Sequence, residues 1–282
     1  MSADAATGPV AETKQHDPGE PDILVFPDAA AASRGAAAWI AEALTDAVAA
    51  RRIAHWATTG GSAPAPIYRH LADPPFRDEV PWDRVQLWWG DDRWVPPVDP
   101  RSNALACRDI LLREVHLPAE HVHPIPIGEA MDAGRPPSWA AQQYEAALRG
   151  AGLPVAPSGF PILDLVLVGI GPDGHLFSVF PGSATWDDPA WVQAVPAPTH
   201  VEPHVERITL HPRILDVARL PLAVVTGASK AAILGRVFGP RDDERKLPSL
   251  LARRAGATWI LDEAAATELP PDVRVTRGAA LA

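Results

Sequence analysis

A single α/β domain, with a mainly parallel central sheet covered by helices on both faces, is the fold class this sequence predicts. Two observations carry that expectation. Short Val- and Leu-rich runs recur along the chain, with Leu163 to Ile170 the clearest, and such runs suit strands buried on both faces of a parallel sheet. Between them lie longer stretches of helical period, such as Ala29 to Arg52 with Ile40, Leu44 and Val48 on one face. Alternation of the two patterns is the signature of parallel α/β architecture.

Taken in order, Asp22 to Phe26 reads as a first strand, Ala29 to Arg52 as a long alanine-rich helix, and Ile53 to Thr58 as a second strand. The second strand runs into Thr59-Gly60-Gly61-Ser62, with Ser62 a natural cap and Pro64 suited to the first turn of a helix over Ala65 to Leu71. A helix start of this kind offers unpaired N–H groups and a positive dipole end, and Gly60 and Gly61 let an anion approach the backbone. Arg84 to Trp89 is a third strand, emptying into Gly90-Asp91-Asp92-Arg93 and a proline-rich loop; Ser102-Asn103 then cap a helix to Val115. Arg93 can fork onto a carboxylate or a phosphate, while Asp91 or Asp92 can fix Arg93 or bond a hydroxyl. Val122 to Ile127 is expected as a strand and Ser138 to Arg149 as a helix. After the central run come strands over Trp191 to Ala197, Arg207 to Leu210 and Leu222 to Thr226, the helix Ala231 to Phe238, a strand over Thr258 to Leu261 and a short helix Glu263 to Glu268. Lys230 stands at a helix N-terminus, where a lysine is disfavoured unless an anion is also present.

Residues 1–20 are expected to be disordered, residues 21–269 to form the α/β domain, and residues 270–282 to be a loose tail. The 282 residues suffice for a sizeable core. A formal charge of −10 argues against nucleic-acid binding. No apolar stretch reaches membrane-spanning length, and the first residues lack the basic start and apolar core of a secretion signal. The one cysteine, Cys107, cannot pair internally, which fits a reducing cytoplasm. His116, His121 and His123 match no zinc spacing, so no metal site is expected.

The run Leu163 to Ile170 stops at Gly171-Pro172-Asp173-Gly174, and the next residue is His175. Ligands of open parallel sheets bind beyond the carboxyl ends of the strands, so a histidine delivered there can take and return a proton. The glycine spacing of Gly169 to Gly174 matches a dinucleotide turn, but Pro181-Gly182 interrupts the helix that such a turn needs.

Read as GxGPDGHxxSxFPG, this segment resembles the central motif of the 6-phosphogluconolactonases. Thr58 to Ser62, Trp89 to Pro96 with Ser102-Asn103, and Val225 to Lys230 agree with it in order and spacing, so the resemblance covers about Asp22 to about Ala266. It implies the fold of sugar-phosphate isomerases and glucosamine-6-phosphate deaminases. It also implies hydrolysis of 6-phosphoglucono-1,5-lactone to 6-phosphogluconate without metal or organic cofactor. His175 is then the expected general base, oriented by Asp173. Arg93, Arg207, Lys230 and Ser62 are expected to hold the phosphate, with the Gly60-Gly61 or Gly171-Gly174 amides at the oxyanion. The chain departs from the family at Asp92, where Glu is expected. A deaminase on this fold would carry a glutamate shortly after the histidine, and Leu176 to Gly182 holds no acid. A non-catalytic sugar-phosphate sensor would need no base. The expected partner is a small sugar-phosphate lactone, and the expected state a monomer or weak homo-oligomer.

Overall fold

The computed structural model describes residues 19–61 and 63–278. The N-terminal tail expected over residues 1–20 therefore lies almost wholly outside the described residues, as does Ser62. In chain order the elements are β1 (Asp22–Phe26), α1 (Ala29–Arg51), β2 (Ala54–Thr58), α2 (Pro64–Ala72), α3 (Phe76–Glu79), β3 (Val85–Trp89), β4 (Asp91–Arg93) and α4 (Asn103–Ile110). They continue with β5 (Val122–His123), α5 (Ile127–Asp132), α6 (Pro137–Gly150), β6 (Leu165–Val168), β7 (Val192–Val195) and β8 (Arg207–Leu210). The last are α7 (Ile214–Val217), β9 (Leu220–Val225), α8 (Ala231–Phe238), β10 (Thr258–Asp262) and β11 (Thr276–Arg277).

Eight strands form one sheet in the order β11-β1-β10-β9-β6-β2-β3-β5, and every pairing in it is parallel. Alternation along the strands divides the core in two. Trp56, Leu87, Leu165, Leu167 and Leu222 face α1, α2 and α4 on one side. Ala57, Trp88, Val166, Val168 and Trp259 face α6 and α8 on the other. Period-2 side-chain direction in a doubly covered sheet requires this division. Small residues on α1 let it lie close: a side chain at Gly35 would overlap the Phe26 ring of β1. Asp28 caps that helix, accepting from the Ala31 N–H at 2.8 Å.

Four readings of the sequence need correction. Val122 to Ile127 pairs only at Val122–His123, because Pro124 and Pro126 cannot donate to a ladder, and a short helix begins at Ile127. The charged segment Asp91–Arg93, read as a loop, is a strand in a separate antiparallel sheet ordered β4-β8-β7. The segment beyond Pro270, expected to be loose, carries β11, which pairs with Leu24 and Val25 of β1 and finishes the edge. Asp164, within the run Leu163 to Ile170 expected as a strand, is buried just before β6, which begins only at Leu165. It accepts from the His55 backbone N–H at 2.8 Å and from Arg51 at 2.7 Å. Among the described residues no helix is long and apolar enough to cross a membrane.

A half-buried histidine, His123, and a buried one, His211, tie stability to pH. Burial, helped by neighbouring His55 and His121, pushes His123 down to about 4. Burial, with Arg213 adding to it, pushes His211 down to about 4 as well. The His211 Nδ1 accepts from the Arg213 N–H at 3.1 Å, a bond that only the neutral ring can make. Unfolded, each ring binds a proton near pH 6.5. The unfolded state therefore takes up protons that the folded state refuses, and stability is lost as pH falls from about 6.5 towards 4. Urea titration should show that loss, and His211→Asn, which keeps an acceptor but cannot titrate, should flatten the slope by roughly 1–3 kcal/mol across the window. An unchanged slope would remove His211 from the account.

Candidate active site

Going outward from β6, the sheet runs through β2, β3 and β5 in one direction and through β9 and β10 in the other. The chain thus reverses between β2 and β6, and crevices form at the carboxyl edge at such a reversal. A cavity of about 260 Å3 lies there, enclosed by the loops after β2, β6 and β9 and by β4 and β8.

The loop after β2 is fixed from beneath by Tyr68, whose hydroxyl lies 2.6 Å from Thr58 Oγ1 and donates to the Thr59 carbonyl at 3.2 Å. Gly60 and Gly61 both line the cavity, as expected. A side chain at Gly60 would overlap the Asn103 amide, and Gly61 has a φ of +91°, a region that favours glycine.

The loop after β6 closes on itself. The Gly171 N–H donates to the His175 carbonyl at 2.9 Å and the Gly174 N–H to the Gly171 carbonyl at 3.0 Å. These two amides, expected as oxyanion donors, are occupied within the turn. A side chain at Gly171 would overlap the His175 ring. His175 reaches the cavity wall with its Nδ1 2.6 Å from Asp173 Oδ1, which also accepts from the His175 backbone N–H at 3.1 Å. Burial pushes the Asp173 carboxyl up. The hydrogen bonds and charge of His175 and the bond from His200 outweigh that and hold it well below the usual carboxylate range. An ionised carboxylate only accepts, so the proton of this bond sits on His175 Nδ1, and in the neutral ring Nε2 is then the nitrogen with the lone pair.

On β4, Asp91 and Arg93 line the cavity and Asp92 does not. Asp91 accepts from Asn103 Nδ2 at 3.0 Å and from Ser178 Oγ at 2.5 Å. Asp92 is buried on the opposite side, where it accepts from the backbone N–H groups of Arg93 (2.7 Å), Asn103 (2.6 Å) and Ala104 (3.2 Å), and from Ser102 Oγ (3.0 Å). It thus caps α4, the role expected of Ser102, and touches only the backbone of Arg93. Burial pushes its carboxyl up to about 6, against the pull of those N–H donors.

Three cations meet at the same cavity. The Arg93 Nη1 donates to the Arg101 carbonyl at 2.8 Å and the Arg207 Nη2 to the Pro203 carbonyl at 3.1 Å. The Nε of each is buried without a partner among the described residues. Burial lowers Arg207, with Asp91 pulling the other way. Lys230, expected at a helix start, reaches back from α8 so that its Nζ donates to the Ile170 carbonyl at 2.7 Å. Burial lowers it too, opposed by Asp173. Donors buried without a partner, as the two Nε–H groups are, cost free energy that an anionic acceptor would offset.

The sequence reading left two residues out. Asn103, read only as a cap, donates to both the backbone carbonyl and the carboxylate of Asp91, and its Oδ1 is buried without a partner among the described residues. His200, 27 residues from Asp173, holds the other Asp173 oxygen at 2.8 Å. Nothing in its local sequence marks it. Among the described residues no group of three or more His, Cys, Asp and Glu is placed to hold a metal ion.

Fold and site together describe a parallel α/β protein with a histidine–carboxylate pair and a cluster of three cations at its switch point. The chain belongs to the family of glucosamine-6-phosphate isomerases/6-phosphogluconolactonase, whose model matches residues 27–260. It is 35% identical over 214 residues to the 6-phosphogluconolactonase of Nostoc sp., covering 76% of this chain and 83% of that protein. With the 6-phosphogluconolactonase of Mycobacterium leprae it is 32% identical over 254 residues, covering 88% and 98%. The solved 6-phosphogluconolactonase from Trypanosoma cruzi superposes with a TM-score of 0.77 at 26% identity, covering 91% of this chain and 99% of that one.

Asp92 offers a test of the helix cap. In Asp92→Asn one carboxylate oxygen becomes an NH2 facing the Ala104 N–H, a donor against a donor. The variant should lose about 1–3 kcal/mol of stability in denaturant titrations, with KM nearly unchanged because the group does not line the cavity. A large KM change at unaltered stability would place Asp92 in substrate contact.

Proposed function

We propose that the chain hydrolyses 6-phosphoglucono-1,5-lactone to 6-phosphogluconate, with His175 as general base and then general acid. The observation that carries this reading is that the Asp173-held His175 shares one cavity with two arginines whose buried Nε–H groups lack a partner. The similarity to three 6-phosphogluconolactonases supports the substrate. His175 Nε2 takes a proton from a water as its oxygen adds to the lactone carbonyl carbon. The bond from that carbon to the ring oxygen then breaks, and the imidazolium returns the proton to the ring oxygen. A placed base of this sort is worth roughly a hundred- to ten-thousandfold.

Arg93, Arg207 and Lys230 take the phosphate, and Ser62 joins them on the sequence pattern alone. With the Gly171 and Gly174 amides engaged in their turn, the Gly60 and Gly61 N–H groups are the loop amides assigned to the oxyanion. Asp91 and Asn103 lie where they can bond ring hydroxyls. The lone, buried Cys107, its thiol pushed up to about 12 by burial, supports a cytoplasmic setting.

The test is lactone disappearance measured against the uncatalysed rate, with glucosamine-6-phosphate as the control for the deaminase reading. His175→Asn keeps similar size and polarity without a titrating nitrogen. It should lower kcat by roughly a hundredfold or more at nearly constant KM. Lys230→Ala should do the reverse, since it holds a group that does not change during reaction, and its defect should shrink on a lactone lacking the phosphate. Retention of most turnover by His175→Asn would overturn the mechanism.

A further inference from the structure

Asp173 is shared by two histidines. Its Oδ1 takes the His175 Nδ1 at 2.6 Å, and its Oδ2 takes the Nε2 of His200 at 2.8 Å. Both rings must donate to the ionised carboxylate, which fixes His200 with its proton on Nε2. The Phe180 ring braces both partners, its centroid 4.6 Å from that of His175 and 5.7 Å from that of His200. His200 lies in the 196–206 connection between β7 and β8, which also puts Val201 and Glu202 in the cavity wall. That connection is fastened a second time where Arg207 donates to the Pro203 carbonyl.

We propose that His200 is a positioning residue of this site, fastening the 196–206 connection to the carboxylate that orients His175 and limiting how strongly that carboxylate favours the charged imidazole. The inference rests on the reading of His175 as the base. A carboxylate stabilises the imidazolium beside it. Each further donor on the carboxylate draws off part of its charge, and His200 supplies such a donor on the oxygen that His175 does not use. The other charged groups here are accounted for. Lys230 and Arg207 act on Asp173 through space, while Arg93, Asp91 and Glu202 line the same cavity. Among the described residues, none of these bonds to Asp173 Oδ2, which His200 holds. Sequence distance hides the arrangement, and the half-exposed His200 side chain leaves it open to substitution without a core cavity.

The experiment compares His200→Ala with His200→Gln, whose side-chain NH2 reaches about as far as Nε2 and still donates but cannot titrate. In His200→Ala the full carboxylate charge falls on His175, so its imidazolium should persist to higher pH. The acid limb of kcat/KM for the lactone should move up by about one pH unit, which is about a tenfold loss on that limb with near-normal activity on the alkaline side. His200→Gln should keep the limb close to that of the wild type. Histidine 15N NMR without substrate, with the His175 signals assigned through His175→Asn, should show the same upward shift of His175 in His200→Ala. That readout separates the two readings: a shift in a protein without lactonase activity upholds the His200 arrangement and sinks the function. A uniform loss at every pH, or a raised KM with the limb unmoved, overturns the proposal. So does a His175 that titrates alike in both proteins, whatever the lactone assay gives.

Discussion

Where β2 and β6 lie side by side and parallel, Trp56 opposite Leu165 and Ala57 opposite Val166, the chains that follow must leave the same edge of the sheet. One delivers Thr59 to Gly61 and the other Gly169 to His175, and the chain goes opposite ways from the two strands. Because β2 continues outward to β3 and β6 to β9, no crossover covers the gap between the two loops. The cavity is the space that this topology leaves open, and its glycines follow from it. Two backbones converging on one small volume leave no room for a side chain at Gly60, against Asn103, or at Gly171, against His175.

The electrostatics follow from the same convergence. In a chain with a formal charge of −10, three cations nonetheless gather at this one cavity. Arg207 is only 2% exposed, on a strand whose neighbours hold it from both sides. Desolvation of this kind is costly for a cation, and an anion placed beside it would relieve part of the cost. The histidine side of the cavity works through the opposite charge. Asp173 is kept ionised by three hydrogen bonds, two of them from His175, and its fixed negative charge selects the tautomer with a free Nε2. One pocket thus holds a cluster of cations and a histidine whose Nδ1 is turned to a carboxylate.

Much of this was legible in the sequence because it is local. The glycine-rich turn before His175, the apolar runs and the long alanine-rich helix each carry their signal within a few residues, and α8 spans the residues read for it. What escaped was nonlocal. His200 acquires its partner only when β7 and β8 fold over the β6 loop, and Asn103 meets Asp91 only through the antiparallel sheet. Ser102 has the composition of a cap, yet no local rule reveals that a buried carboxylate ten residues earlier would take the place of its side chain. Charged composition also concealed β4. Asp91–Arg93 lacks apolar residues, and it is a strand because β8 offers it a ladder, with Asp91 opposite Thr209 and Arg93 opposite Arg207.

That short strand also resolves the pair of adjacent acids. Successive side chains on a strand point to opposite faces, so Asp91 and Arg93 share the cavity face and Asp92 cannot. The alternation turns one carboxylate to the cavity and the other to the start of α4, although their sequence environment is nearly the same. It also explains why an aspartate is accommodated at position 92. Its two oxygens are met by backbone N–H groups of Arg93, Asn103 and Ala104 and by the Ser102 hydroxyl, a set drawn close around a short side chain. The departure from the expected glutamate therefore acts on how α4 is anchored behind the site. Asn103 opens that helix, and its amide packs against Gly60 and donates to Asp91 on the cavity side.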